Sequence, residues 1–276
     1  MSNLENKTVF ITGASRGIGR EMALRFAAAG ANIVVAAKSV TPHPKLPGTI
    51  KSVAAEVDAA GGKALAIQLD VRDDDAVKVA VKQAAEHFGG IDAIINNAGA
   101  IKLINSEMLP LKRFDLMFQI NTRAVLSLTQ AALPWLKKSD NGHILSLSPP
   151  VNMDPKWFQH YGPYTVTKYG MSMLTTGMAA EYKRYGIAVN SLWPQTVIAT
   201  AAVEFEGGGQ STLDKARIPQ IMADAAYEII CTENCSMTGE CLIDETVLRN
   251  AGETDFDQYK HNKENQKPLM KDLFIE

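Results

Sequence analysis

A single doubly wound α/β domain on a seven-stranded parallel sheet is predicted by three observations. Seven short apolar runs are rich in β-branched residues, longer helical patterns separate them, and a glycine-rich turn follows the first run directly. Strands covered by helices on both faces lack the polar alternation of a half-exposed sheet. The runs are Val9-Phe10-Ile11, Ile33-Val34-Val35, 64–69, 91–95, 143–147, 187–192 and Cys241-Leu242-Ile243. Helices are predicted near 17–29, 49–60, 73–88, 111–137, 162–185 and 214–231, where apolar residues recur at three-to-four spacing. Gly30, Gly61-Gly62 and Gly89-Gly90 fall just past helix ends, where a left-handed residue costs least.

With 276 residues, one such domain is expected, spanning 1–248 and followed by a polar tail at 249–276. The tail has little periodicity, which predicts loose attachment, with its last apolar residues docking on a neighbour. Thr41 to Gly48 holds three prolines and reads as a surface loop, and 201–213, with Gly207-Gly208-Gly209, reads as a mobile lid. Hydrophobic residues at 46% and charged residues at 21% exclude a disordered chain. A formal net charge of −2 argues against nucleic acid or an anionic membrane as partner, leaving a small molecule. Cys231, Cys235 and Cys241 are odd in number and match no zinc spacing, so reduced thiols and no metal are expected. No apolar stretch approaches the ~18 residues of a membrane span, and the N-terminus has no secretory pattern. The C-terminal residues are not a peroxisomal tripeptide, and a cytoplasmic location is expected.

The turn after the first run is Thr12-Gly13-Ala14-Ser15-Arg16-Gly17-Ile18-Gly19, leading into an amphipathic helix. Glycines permit a tight turn and close backbone approach, so the helix N-terminus can offer its amides to a pyrophosphate. Gly13, Ser15, Arg16, Gly17, Ile18 and Gly19 are therefore candidate contacts to a dinucleotide in a Rossmann-type site. The second strand ends Val35-Ala36-Ala37-Lys38. An NAD site usually places a carboxylate there for the ribose 2′-hydroxyl. Here alanine stands in that slot and Lys38 follows, so Lys38 and Arg16 favour NADP(H) over NAD(H).

Tyr164 and Lys168 are four apart on a predicted helix and leave one face a turn apart. A phenol of ordinary pKa about 10 is a poor acid or base at neutral pH, and a neighbouring ammonium eases its ionisation. The pair suits proton exchange with a carbonyl or alcohol oxygen.

Taken together, these residues resemble the short-chain dehydrogenase/reductase family over roughly 7–245. The match rests on the Thr12–Gly19 loop, Leu69-Asp70-Val71, Asn96-Asn97-Ala98-Gly99, Asn121, Tyr164-Thr-Val-Thr-Lys168 and Pro194. Ala36-Ala37-Lys38, the Pro42 to Leu46 stretch, Leu147 to Pro150, Asp154 to Phe158 and Trp193-Pro194 narrow it to a hydroxysteroid dehydrogenase-like branch. That branch carries a sterol-carrier domain after the dehydrogenase, before which this chain is expected to stop. Its compartments would also admit a mitochondrial or peroxisomal location.

The resemblance implies that Asp70 and Val71 hold the adenine, that Asn97, Ala98 and Gly99 close over the adenosine, and that Pro194 and Val197 lie by the nicotinamide. It also implies Tyr164 as acid/base, Lys168 on the nicotinamide ribose and Asn121 as a water-holding relay. Asp70 alternatively reads as a helix N-cap. Two departures stand out. Pro149 occupies the place of the family's second serine, leaving Ser148, sixteen residues before Tyr164, as a candidate replacement, and Gln195 replaces a glycine after Pro194.

Trp157, Phe158, Met153, Trp193 and the lid would border an apolar pocket for a lipid-like carbonyl or alcohol, and the long helices would build a homodimer or homotetramer. The expected function is an NADP(H)-dependent oxidoreductase. The alternative is an NADP(H)-binding scaffold or redox sensor, and methyl transfer is disfavoured because it has no use for the Tyr164–Lys168 pair. The enzyme reading requires the phenolic hydroxyl to stand open beside the nicotinamide.

Overall fold

The computed structural model describes residues 4–44, 46–206, 208–233 and 235–276. Lys45 of the proline loop, Gly207 of the expected lid, the first three residues and Asn234 lie outside them. Strands β1 (Thr8–Thr12), β2 (Asn32–Ala37), β3 (Lys63–Gln68), β4 (Ala93–Asn96), β5 (Gly142–Ser146), β6 (Ile187–Trp193) and β7 (Cys241–Ile243) form one sheet. Every pairing is parallel and the order is β3-β2-β1-β4-β5-β6-β7. All seven runs read from the sequence are strands of this sheet.

The helices are α1 (Gly17–Ala27), α2 (Ile50–Ala59), α3 (Asp74–Phe88), α4 (Leu111–Phe118), α5 (Ala124–Leu136), α6 (Lys156–Gln159), α7 (Gly162–Tyr182), α8 (Ala201–Glu206), α9 (Gln210–Leu213), α10 (Gln220–Ile230) and α11 (Asp244–Asn250). Successive strand residues serve opposite faces. Val9 and Ile11 join α1, α2 and α10 in one core, while Phe10 and Ile94 join α3, α5 and α7 in the other. Among the described residues no helix is long and apolar enough to cross a membrane.

Three expectations need correction. The helix predicted over 111–137 is broken by a π-helical turn, Gln119–Arg123, which inserts a residue that apolar periodicity does not register. The helix predicted from 214 begins at Gln220, because Pro219 disfavours helix before it and 214–218 instead cross to 197–199 through Arg217 N–H to Val197 O at 2.9 Å. The tail is not loosely attached: Phe256, Tyr259 and Phe274 are buried, and Tyr259 donates to Asp224 at 3.0 Å. It docks on its own domain through anchors too sparse to show a period. The expected lid contains two short helices, α8 and α9.

His143 on β5 is buried and donates to the Thr232 carbonyl at 3.0 Å. Burial pushes its pKa from 6.5 to about 4. The folded imidazole thus refuses a proton that the unfolded one accepts, so stability present above pH 6.5 is lost as pH falls toward 4. The loss is about 3 kcal/mol. Asp244, raised by burial to about 6, acts with the opposite sign. Urea unfolding of wild type and His143→Gln between pH 7 and about pH 4 isolates the histidine: the wild type should lose about 3 kcal/mol more than the variant over that range.

Candidate active site

Strand order reverses between β1 and β4, which opens a crevice at the carboxyl ends of the strands. Thr12 Oγ1 donates to Ile95 O and accepts from the Asn97 and Ala98 amides, each at 3.1 Å. The Asn97 side chain donates to Thr12 O at 2.8 Å and Gly13 O at 3.1 Å. The glycine loop is thereby bolted to the end of β4. Gly13 and Gly17 have φ of +65° and +56°, a region glycine enters freely. A Cβ on Gly19 would lie 2.4 Å from Asn97 Nδ2 and 2.7 Å from Gly13 O, so the packing admits only hydrogen there.

α1 starts without a side-chain cap or an acidic residue in its first turn, leaving its amides and positive dipole end to an anion. A cleft of about 940 Å³ runs along this end. Its walls include the predicted Gly13, Ser15, Arg16, Gly17, Ile18, Lys38, Asp70, Val71, Asn97, Ala98 and Gly99. Ile120, Ala199 and Thr200 also border it. They are small or apolar residues with no sequence signal. Among the expected lid residues, Phe205 reaches the cleft. These walls fit a dinucleotide: an uncapped helix end at the centre and cations at the rim.

At the rim Arg16 donates to Ser39 Oγ at 2.9 Å and to Pro47 O at 3.0 Å, tying the proline loop to the glycine loop. Lys38 lies 3.2 Å from the Asp70 carboxylate, which also binds Arg72 Nε at 2.9 Å and 3.1 Å. Arg72 first, then Lys38, hold Asp70 far below the usual carboxylate range. Asp73, not Asp70, caps α3, accepting from Asp75 and Ala76 amides.

Tyr164 and Lys168 leave α7 one turn apart, as their spacing predicts, and both are buried, Tyr164 with 6% of its surface exposed. Lys168 Nζ donates to Leu147 O, lies 3.4 Å from Met171 Sδ and sits 5.0 Å over the Trp193 ring. The Asn121 side chain accepts from Ala100 N–H at 2.8 Å and donates to Ala100 O and Thr167 Oγ1, both at 2.9 Å. It clamps the chain after β4 to α7. Ser148 Oγ is buried with no hydrogen-bond partner among the described residues. Val197 N–H donates to Met270 O at 2.9 Å, so that amide is spent within the protein, and neither Pro194 nor Val197 borders the cleft.

The closed state of this end corrects the expectation of an open phenol. Residues 270–276 lie over it, with Phe274 wedged 5.3 Å from Tyr169 and 5.8 Å from both Trp157 and Trp193. Trp157, Phe158 and Trp193 were expected to border an open pocket; they share an apolar cluster with Tyr164 and Phe274 instead, none of them lines the cleft, and Met153 is exposed. The segment also brings a group the sequence does not flag, Asp272, one acid among many in a polar stretch. Burial, and then the Asp272 carboxylate, drive the Tyr164 pKa well up. Burial drives Lys168 down, against a smaller opposing pull from Asp272. Burial likewise raises Asp272.

The short chain dehydrogenase family model matches residues 7–207. The chain belongs to this family. The family is one of oxidoreductases that use nicotinamide cofactors. It is 51% identical over 269 residues to hydroxysteroid dehydrogenase-like protein 2 of Danio rerio, covering 98% of this chain and 64% of the relative, so it spans less than two thirds of that protein. A solved short chain dehydrogenase from Mycobacterium thermoresistibile is 47% identical with a TM-score of 0.92, covering 99% of this chain and 96% of that one. A metagenomic short-chain oxidoreductase solved in complex with NADP is 25% identical with a TM-score of 0.72, covering 88% of this chain and 98% of that one.

Gly19→Ala should dislodge the Asn97 side chain from the glycine loop. Fluorescence titration with NADPH is expected to show affinity weakened at least several-fold, while far-UV circular dichroism stays that of the folded domain.

Proposed function

We propose that the protein is an NADP(H)-dependent oxidoreductase that interconverts a carbonyl and a secondary alcohol on a lipid-like substrate, with Tyr164 as general acid/base. The observations that carry this reading are the Tyr164–Lys168 pair, one helical turn apart on α7, and the uncapped start of α1 at the cleft. A bound nicotinamide would supply or accept the hydride. Tyr164 would donate the phenolic proton to the carbonyl oxygen in reduction and take it back in oxidation. Burial favours the neutral phenol, the form that donates. Lys168 would meet the ribose hydroxyls and ease loss of the proton by its charge. Asn121 keeps the chain after β4 against α7, and Ser148, with its free hydroxyl, is the candidate to orient the substrate oxygen.

The NADP(H) preference rests on Ala37 in the acidic slot and on two cations at the rim. Arg16 is bonded to a hydroxyl and backbone carbonyls, with no carboxylate partner among the described residues, so its charge is available to a 2′-phosphate. Lys38 shares Asp70 with Arg72, which makes it the weaker contributor. Trp157, Phe158, Trp193 and Phe274 support an apolar substrate. Leu111, Phe118, Leu126, Val166 and Met173, exposed on α4, α5 and α7, support a homodimer or homotetramer. A second reading, an NADP(H)-binding scaffold or sensor, is favoured by the C-terminal segment that seals Tyr164; under the enzyme reading that segment yields as substrate enters.

With NADPH and a panel of carbonyl compounds, Tyr164→Phe should lower turnover about a hundredfold or more while NADPH affinity holds. Tight NADPH binding by wild type with no turnover on any panel member would favour the scaffold. Arg16→Ala is expected to weaken NADPH about tenfold, with little change for NADH. Lys38→Ala should have a smaller effect in the same direction. Undiminished preference for NADPH in both variants would defeat the phosphate assignment.

A further inference from the structure

The chain leaves β2 for the proline loop and returns to the same place. Ile50 N–H donates to Ser39 O at 2.9 Å, which closes the loop at its base. Thr49 anchors the return as the N-cap of α2: its Oγ1 accepts from Ser52 N–H at 3.0 Å, and its own N–H donates to Ser52 Oγ at 2.8 Å. Just before it Gly48, with a φ of +78°, passes so close to the glycine loop that a Cβ there would collide with Ser15 O. Leu46, Pro47 and Gly48 border the cleft beside Lys38 and Ser39.

One side chain joins the two loops. Arg16 Nε donates to Pro47 O at 3.0 Å, and Nη2 donates to Ser39 Oγ at 2.9 Å and to Gly48 O at 3.4 Å. All three acceptors are neutral oxygens, so they fix the guanidinium plane without cancelling its charge. These bonds leave the Nη1 donors, which have no hydrogen-bond partner among the described residues. Two carboxylates on the cleft wall, Glu21 and Glu56, are ion-paired to Arg20 instead. An unrestrained arginine loses much of its rotamer freedom when a ligand immobilises it, and one already held in place avoids most of that cost.

We propose, on the reading that the cleft takes NADP(H), that Gly48 is a positioning residue for cofactor choice: its seat against Ser15 lets the proline loop hold the Arg16 guanidinium ready for the ribose 2′-phosphate. A ribose hydroxyl gains little from a fixed guanidinium compared with a phosphate. The loop therefore acts on the discrimination between the two cofactors and not on dinucleotide binding as a whole. Its influence passes through Arg16.

The test is fluorescence titration of the full chain with NADPH and with NADH, which differ only in that phosphate. Wild type should prefer NADPH, and Arg16→Ala should cut the ratio of the two affinities about tenfold. Gly48→Ala, which pushes the loop off Ser15, should cut the ratio about threefold or more while NADH affinity changes less than about twofold. Added to Arg16→Ala, Gly48→Ala should leave the ratio where Arg16→Ala alone puts it, because the two residues act in series. A ratio unmoved or raised by Gly48→Ala, an equal loss for both cofactors, or a further fall in the double variant overturns the proposal. Should Gly48→Ala fail to fold, Pro47→Gly frees the backbone at an exposed position while keeping every acceptor, and is read by the same criteria. The titration needs no turnover. Equal affinity of wild type for the two cofactors, or a ratio indifferent to Arg16→Ala, would refute the NADP(H) reading. A ratio that collapses in Arg16→Ala but stays at the wild-type value in Gly48→Ala refutes the role of Gly48 alone.

Discussion

The parting of the chain after β1 and β4 is the constraint on which the site depends. Where strand order reverses, the connections leave in opposite directions and the sheet's carboxyl edge opens a crevice. Left alone, such an edge would expose backbone amides to whatever solvent reached them. Thr12 and Asn97 bridge the gap with hydrogen bonds that use the Asn97 and Ala98 amides and the Thr12 and Gly13 carbonyls. The glycine loop is thus held rigid from below, and the start of α1 is aimed at the cleft. Gly19 follows from the same bridge, because the Asn97 amide occupies the space a side chain would need.

The two ends of the site have opposite electrostatic characters. The rim by Arg16 and Lys38 is partly solvated, and its charges are paired or hydrogen-bonded at modest cost. The other end is apolar and covered, so each charge there acts strongly on its neighbours and is itself hard to maintain. Burial pushes Tyr164 up and Lys168 down, toward neutral forms in both cases. Asp272, on the C-terminal segment, opposes that trend for the lysine and reinforces it for the tyrosine.

Much of the site was legible because its chemistry sits in local patterns. The Thr12–Gly19 loop is contiguous, and the Tyr164–Lys168 spacing fixes a shared helix face wherever α7 lies. Lys38 was legible from its place at the end of β2, but its ion pair with Asp70, which Arg72 shares, was not, since that pairing depends on β2 and β3 lying side by side. Asn121 stood out as an amide in an apolar helix, yet the π-helical turn around it and its bonds to Ala100 and Thr167 arise from packing between elements. Asp272 carried no mark at all. Its amide bonds Gln195 O, a contact between residues remote in sequence, and nothing in the neighbouring polar residues distinguishes it.

By itself, then, the chain's amino-acid order determined the parallel sheet, the phosphate-binding turn and the spacing of the Tyr164–Lys168 pair, because hydrophobic periodicity, glycine stereochemistry and helical pitch act over a few residues. Tertiary structure decided that the phenol is covered, that the tail is the cover, and that the buried ammonium is bonded to the Leu147 carbonyl. Those outcomes rest on contacts between residues remote in sequence, and their energies depend on burial, which exists only once the chain has closed upon itself.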